Sequence, residues 1–181
     1  MTTQTLRLWD PLIRLFHWSL AGSFAANYWF TEPGEYWHEM VGYYAAVWLA
    51  VRVVWGFVGP QSARWSDFWP TPARLSAHIG ALRSGRPFHR LGHSPIGALV
   101  MIVLMLCMLG LGVSGYLLSE VDAFFGDELV EEIHELLANG VASLVVLHVT
   151  AAIIESKRLN DNLPLSMVTG KRKPLPEDHS A

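Results

Sequence analysis

The sequence predicts an all-α integral membrane protein, an up-down bundle of four transmembrane helices. Three observations carry that expectation. Hydrophobic residues make up 51% of the 181 residues and charged residues 16%, against about a quarter charged in an ordinary soluble domain, and the mean hydropathy is +0.28. Four segments approach the ~20 apolar helical residues that cross a bilayer. Lysine and arginine fall on one side of the membrane when those segments alternate. Eight tryptophans suit membrane interfaces. The length fits one domain, and no nucleic-acid partner is expected.

The first expected span is Leu12–Phe30. Arg7 and Arg14 ahead of an apolar run imitate a signal peptide. His17 and Trp18 inside the run, and a second hydrophobic segment close behind, instead favour an uncleaved span. "TEPGEYW", with its Pro-Gly turn signal, leads to the second span, His38–Val58. Residues 59–93 form a long polar connection broken by prolines. Within it "TPARLSAHIGALRSG" suits a short interfacial helix with Pro72 in its first turn. Ser94–Leu118 is the third span, "SEVDAFFGDEL" a short connection, and Val130–Ile154 the fourth span. Residues 1–160 are thus expected to form the membrane domain, and 161–181 a polar, mobile tail. The single cysteine, Cys107, excludes an internal disulfide and a Cys-rich metal site; packing in an apolar helix is the expected role.

All 13 basic residues lie at the termini, at the inner end of span two (Arg52), in the 59–93 connection or in the tail. The two short connections hold Glu32, Glu35, Glu120, Asp122, Asp127 and Glu128 and no lysine or arginine. By the positive-inside rule both termini are cytoplasmic and the acidic tips face outward, into the periplasm if the membrane is a bacterial inner membrane.

Of eight histidines, His17, His38, His134 and His148 fall inside expected spans. Ionisable groups at membrane depth are candidates for function. His17 lies about sixteen residues before the Pro33–Gly34 tip and His38 about four after it; His134 and His148 lie about four and eighteen residues into span four. His38 therefore matches His134 in depth near the outer face, and His17 matches His148 near the cytoplasmic face. Fourteen residues at ~1.5 Å and ~100° each separate the two levels by ~21 Å and return within ~40° of the same helix face. Two stacked histidine pairs across an apolar bundle suit two haems: iron accepts axial imidazole and the macrocycle needs apolar walls. With both axial positions filled, electron transfer is favoured over oxygen chemistry. Structural zinc would need four ligands, and a proton relay does not require paired depths.

Gly42, four residues after His38, is on the same face and either clears room for a porphyrin edge or allows close helix packing. Arg52, fourteen after His38, either pairs with a haem propionate or snorkels to the interface. Span three has no internal histidine, and its "GLGVSG" reads as small-residue packing. His78 and His89 read as solvated loop residues, and His179 as an inert tail residue. His93, opening span three, competes with His17 as a ligand, or else bonds a propionate or a quinone headgroup.

"LIRLFHW", "RVVWGFVGPQSARWSDF", "GHSPIGALVM" and histidines in spans one, two and four together resemble the prokaryotic cytochrome b561 family, which includes the b-type cytochrome subunit of nickel–iron hydrogenases. The resemblance covers about residues 6–160. It implies two b-type haems in a four-helix bundle, exchanging electrons with membrane quinone, with His17, His38, His134 and His148 as axial ligands. The expected function is electron transfer between the quinone pool and a redox partner, either a periplasmic c-type cytochrome drawn to the acidic tips or a membrane-bound oxidoreductase. Alternatives are a haem-bearing anchor subunit of a hydrogenase, dehydrogenase or reductase, a stand-alone superoxide or small-donor:quinone oxidoreductase, and a haem-free transporter. A homodimer is left open.

Overall fold

The computed structural model describes residues 5–86, 88 and 92–174, apart from the Phe68 side chain. The chain there is overwhelmingly helical. Its helices are α1 (Pro11–Trp29), α2 (Tyr36–Val58), α3 (Trp65–Phe68), α4 (Pro72–Arg83), α5 (Pro95–Glu120), α6 (Glu128–Leu159) and α7 (Leu163–Thr169), with 3-10 turns at Gln61–Ala63 and Asp122–Phe124. Two short strands, β1 (Leu6–Arg7) and β2 (Lys171–Arg172), pair antiparallel, Leu6 opposite Arg172.

Local chemistry sets the helix ends. Asp10 Oδ1 accepts from the amides of Leu12 and Ile13 at 3.0 and 3.1 Å, with Pro11 at the first helical position of α1. Thr71 Oγ1 accepts from Arg74 N at 3.3 Å ahead of Pro72 in α4. Ser94 caps α5 before Pro95, and Asp127 caps α6. In each case a side-chain oxygen satisfies an amide that the first turn leaves unpaired, and proline fits where no amide partner is needed.

Among the described residues, α2, α5 and α6 are long and apolar enough to cross a membrane. Each of the four segments expected to span falls on a helix; α1, with 19 residues, carries Arg14 and His17 and is not among those three. Large apolar side chains on these helices are uncovered by protein, among them Val47, Leu106, Leu109, Leu136 and Val146. Soluble monomers rarely display so much contiguous apolar surface, so lipid is its natural solvent.

The chain divides into two compact units. One comprises the described residues of Met1–Arg14, Trp55–Met101 and Leu147–Ala181; the other is Leu15–Val54 with Ile102–Val146. In the first, Trp9, Ile13 and Ala63 are buried against Leu8, Trp55 and Met167. Trp9 Nε1 donates to Ser166 Oγ at 3.1 Å, and the buried Arg172 pairs through Nε with Oδ2 of the partly buried Asp161 at 2.8 Å. Gly56 has no Cβ because one would overlap the Trp65 indole, which explains "WGFVGPQSARW" as a packing device. Gly170 ends α7 with φ 77°, and a Cβ there would lie 2.9 Å from the Trp9 carbonyl.

The expectation of a mobile tail is therefore corrected for residues 163–172. Leu163–Thr169 and Lys171–Arg172 fold and cover Trp9, because a buried indole N–H needs an acceptor and Ser166 supplies it. His78 is a second correction: it is 3% exposed in α4 with Phe88 packed at 4.9 Å, where a solvated loop residue was expected. Helix α4 in the polar connection turns it inward. His89 and His179 lie outside the described residues.

Candidate functional site

The second unit brings together His38, two residues into α2, and His134, in the second turn of α6. Their ring centroids are 6.2 Å apart with the planes inclined by 55°. Both side chains are half-buried.

Each ring is held by a hydroxyl at Nδ1. Thr31 Oγ1 is 3.0 Å from His38 Nδ1. Ser114 Oγ, on α5, is 2.8 Å from His134 Nδ1. The hydroxyl protons are directed elsewhere. Ser114 donates to the Gly110 carbonyl at 2.8 Å, and Thr31 donates to Asn27 Oδ1 at 3.2 Å. The Asn27 amide is itself oriented, since its Nδ2 donates to the His38 carbonyl at 2.9 Å. Each hydroxyl oxygen can therefore accept from an Nδ1–H, and in that tautomer the Nε2 lone pair of both rings is available.

Glycine shapes the space around these rings. A Cβ on Gly115 would reach within 3.4 Å of His134 Cε1, so α5 passes close to that ring there. A Cβ on Gly42 would meet only Asn27 Nδ2, at 3.9 Å, leaving the helix face beyond His38 open. Tyr43 OH donates to Glu120 Oε1 at 2.8 Å, Tyr44 OH to Ser19 Oγ at 3.0 Å and Tyr28 OH to Asn139 Oδ1 at 2.8 Å. These bonds tie α2 to α5, α2 to α1 and α1 to α6 within the same unit.

Two neutral imidazoles facing each other suit a metal that brings its remaining ligands with it. Nitrogen lies about 1.1 Å from an imidazole centre and binds a metal at about 2 Å, so two rings sharing one ion axially have centroids roughly 6 Å apart. The 6.2 Å separation meets that requirement. Among the described residues no cluster of three or more His, Cys, Asp or Glu could hold a bare metal ion, which disfavours zinc. Haem iron, already held by four macrocycle nitrogens, needs only the two axial donors.

The other sequence candidates are distributed as follows. His17 lies in α1 of the second unit, its ring edge-on to Trp18 at 5.0 Å. His148 lies in α6 and belongs to the first unit. Arg52 is 2% exposed, so its guanidinium is covered by protein rather than displayed as a snorkelling group would be. His93 is also in the first unit and packs against Trp9 at 4.8 Å, tilted by 59°. Sequence reasoning missed Asn27, Thr31, Ser114 and Gly115. The available signal was a polar side chain within or beside an apolar span, near a candidate histidine in depth.

Apolar helices too long and too uncovered for water, with two imidazoles at the spacing of a pair of axial donors to one metal, define the class: a membrane protein built to hold a macrocyclic iron cofactor. The profile of the family described as prokaryotic cytochrome b561 matches residues 8–170, and the chain belongs to that family. It is accordingly a membrane b-type cytochrome of electron transfer that binds b-type haem. Comparisons with curated proteins and with solved structures returned no match.

Proposed function

We propose that this protein is a di-haem cytochrome of the bacterial inner membrane, a four-helix up-down bundle passing electrons between membrane quinone and a redox partner outside the cytoplasm. The facing of His38 and His134 at 6.2 Å, each with its Nδ1 on a hydroxyl, is the observation that carries this reading. These residues would hold the outer haem. His17 and His148 are read as ligands of a second haem from their matched depth in the sequence alone, and Arg52 is assigned to a propionate of that inner haem. Bound haem supplies a one-electron couple; the chain contributes two fixed donors, apolar walls and no open axial position. Both termini are assigned to the cytoplasm from the one-sided basic residues.

The test is direct. Purified protein is oxidised, then mixed with a reduced short-chain quinol. Appearance of reduced b-type bands supports exchange with quinone, and bands that dithionite produces but quinol does not would remove quinone from the reading.

A second reading, a haem-bearing anchor subunit of a larger oxidoreductase, is favoured by the loop tips of the second unit. Phe30 is 84% exposed and Phe125 81%, and Glu32, Glu35, Asp122 and Glu128 are exposed nearby in sequence. An apolar, acidic surface suits a basic docking face. Stoichiometric copurification of a larger subunit favours the anchor. Reduction of an added basic c-type cytochrome, slowed by salt, favours the soluble partner.

A further inference from the structure

The two hydroxyls at the His38–His134 site do more than fill space. Serine and threonine in helices ordinarily return their proton to a carbonyl one turn back and present nothing else to the protein. Ser114 does this with Gly110 and still points its oxygen at His134 Nδ1, 2.8 Å away on another helix. Thr31 does the equivalent through Asn27, whose amide holds both the His38 backbone and the Thr31 hydroxyl. Neither arrangement is needed for packing alone, since alanine or valine would fill similar volumes.

We infer that Thr31 and Ser114 are positioning residues that fix the Nδ1–H tautomer and ring orientation of the two axial ligands and lower the reduction potential of the haem between them. This inference rests on the haem reading of the site. An Nδ1–H bonded to an acceptor makes the opposite nitrogen a stronger donor. A stronger axial donor stabilises the oxidised iron, and hydrogen bonding around the ligands is one of the levers by which a protein sets such potentials. The two sides are unequal. His38 is held by a two-residue clamp with a 3.0 Å contact, His134 by one serine at 2.8 Å beside Gly115, where an added Cβ would lie 3.4 Å from its Cε1. Ser114 is therefore the stronger determinant.

The experiment is an optical redox titration of the full-length protein carrying Ser114→Ala, Ser114→Thr, Thr31→Val or Thr31→Ser, with haem content and low-spin electron paramagnetic resonance measured on the same samples. Each is also made in a His148→Ala background, to isolate the outer haem, and a His134→Ala background, to remove it. Ser114→Ala is expected to raise the midpoint of the outer haem and shift its resonance signal, Thr31→Val to do so less, and the hydroxyl-retaining variants to stay near wild type. In the His134→Ala background none of the four should move the remaining midpoint. Unchanged outer-haem midpoints in Ser114→Ala and Thr31→Val, with haem retained, overturn the inference. So does an equal shift in Ser114→Thr. Wild-type protein without haem would instead overturn the underlying reading, which keeps the two failures distinct.

Discussion

His38 and His134 lie with ring centroids 6.2 Å apart, and Nδ1 of each is at hydrogen-bond distance from a hydroxyl. The pair joins residues 96 positions apart in sequence from two helices of one compact unit. The relationship defines a pair of donors and a spacing, and the following expectations derive from it and from its surroundings.

His17 and His93 were rivals for the second ligand set. The His93 ring is packed on Trp9, so His93→Ala is expected to retain both haems while His17→Ala loses about one per chain. Alkaline pyridine haemochrome content per polypeptide distinguishes them; the reverse pattern would move the inner ligand to His93.

Gly56→Val forces a side chain into the Trp65 indole. Overpacking of this kind costs about 1–3 kcal/mol, so the detergent-solubilised protein should melt earlier, and Trp65→Ala in the same chain should recover part of the loss.

Arg172 and Asp161 form a largely buried ion pair at 2.8 Å, and Arg172 Nη1 also donates to the Gly92 carbonyl at 3.4 Å. Removing one member of a buried pair leaves an uncompensated charge, typically about 3–5 kcal/mol. Arg172→Ala should therefore loosen β2 and α7 and red-shift tryptophan emission as Trp9 loses its cover. The double change Arg172→Ala with Asp161→Ala should be milder than Arg172→Ala alone.

How much of this was legible beforehand depended on whether the information was periodic. The four long helices and the His38–His134 match followed from apolar runs, turn residues and a 3.6-residue repeat, all local in sequence. The roles of Thr31 and Ser114 did not follow, because a hydroxyl in a helix such as that of Ser114 usually serves its own helix, Thr31 lies in the turn after α1, and only packing shows which neighbour each meets. The fold of the tail was hidden for a related reason: Trp9 and Ser166 are 157 residues apart, and nothing local in "LPLSMVT" announces a partner at the other end of the chain. His78 was misjudged because a proline-punctuated polar stretch reads as solvated, whereas α4 turns that one residue inward.

Burial of His78 in α4 disfavours its charged form and pushes its pKa below the ordinary value; Glu155 partly opposes this and Arg158 adds to it. Above about pH 6.5 the ring is neutral in both folded and unfolded chains. As pH falls below that value the unfolded state takes up a proton first, so stability declines until the folded pKa is passed. Thermal melts between pH 7.5 and 5.5 should therefore show a larger acid-side loss in wild type than in His78→Gln. Equal slopes would mean that His78 titrates freely.

The His38–His134 site is tested most directly by haem content per chain together with the reduced-minus-oxidised spectrum, comparing purified wild type with His134→Ala. A b-type band is predicted in wild type, with loss of about one haem per chain in the variant and the remaining haem still reducible. Wild-type protein without a b-type band, or a variant with undiminished haem, would contradict it.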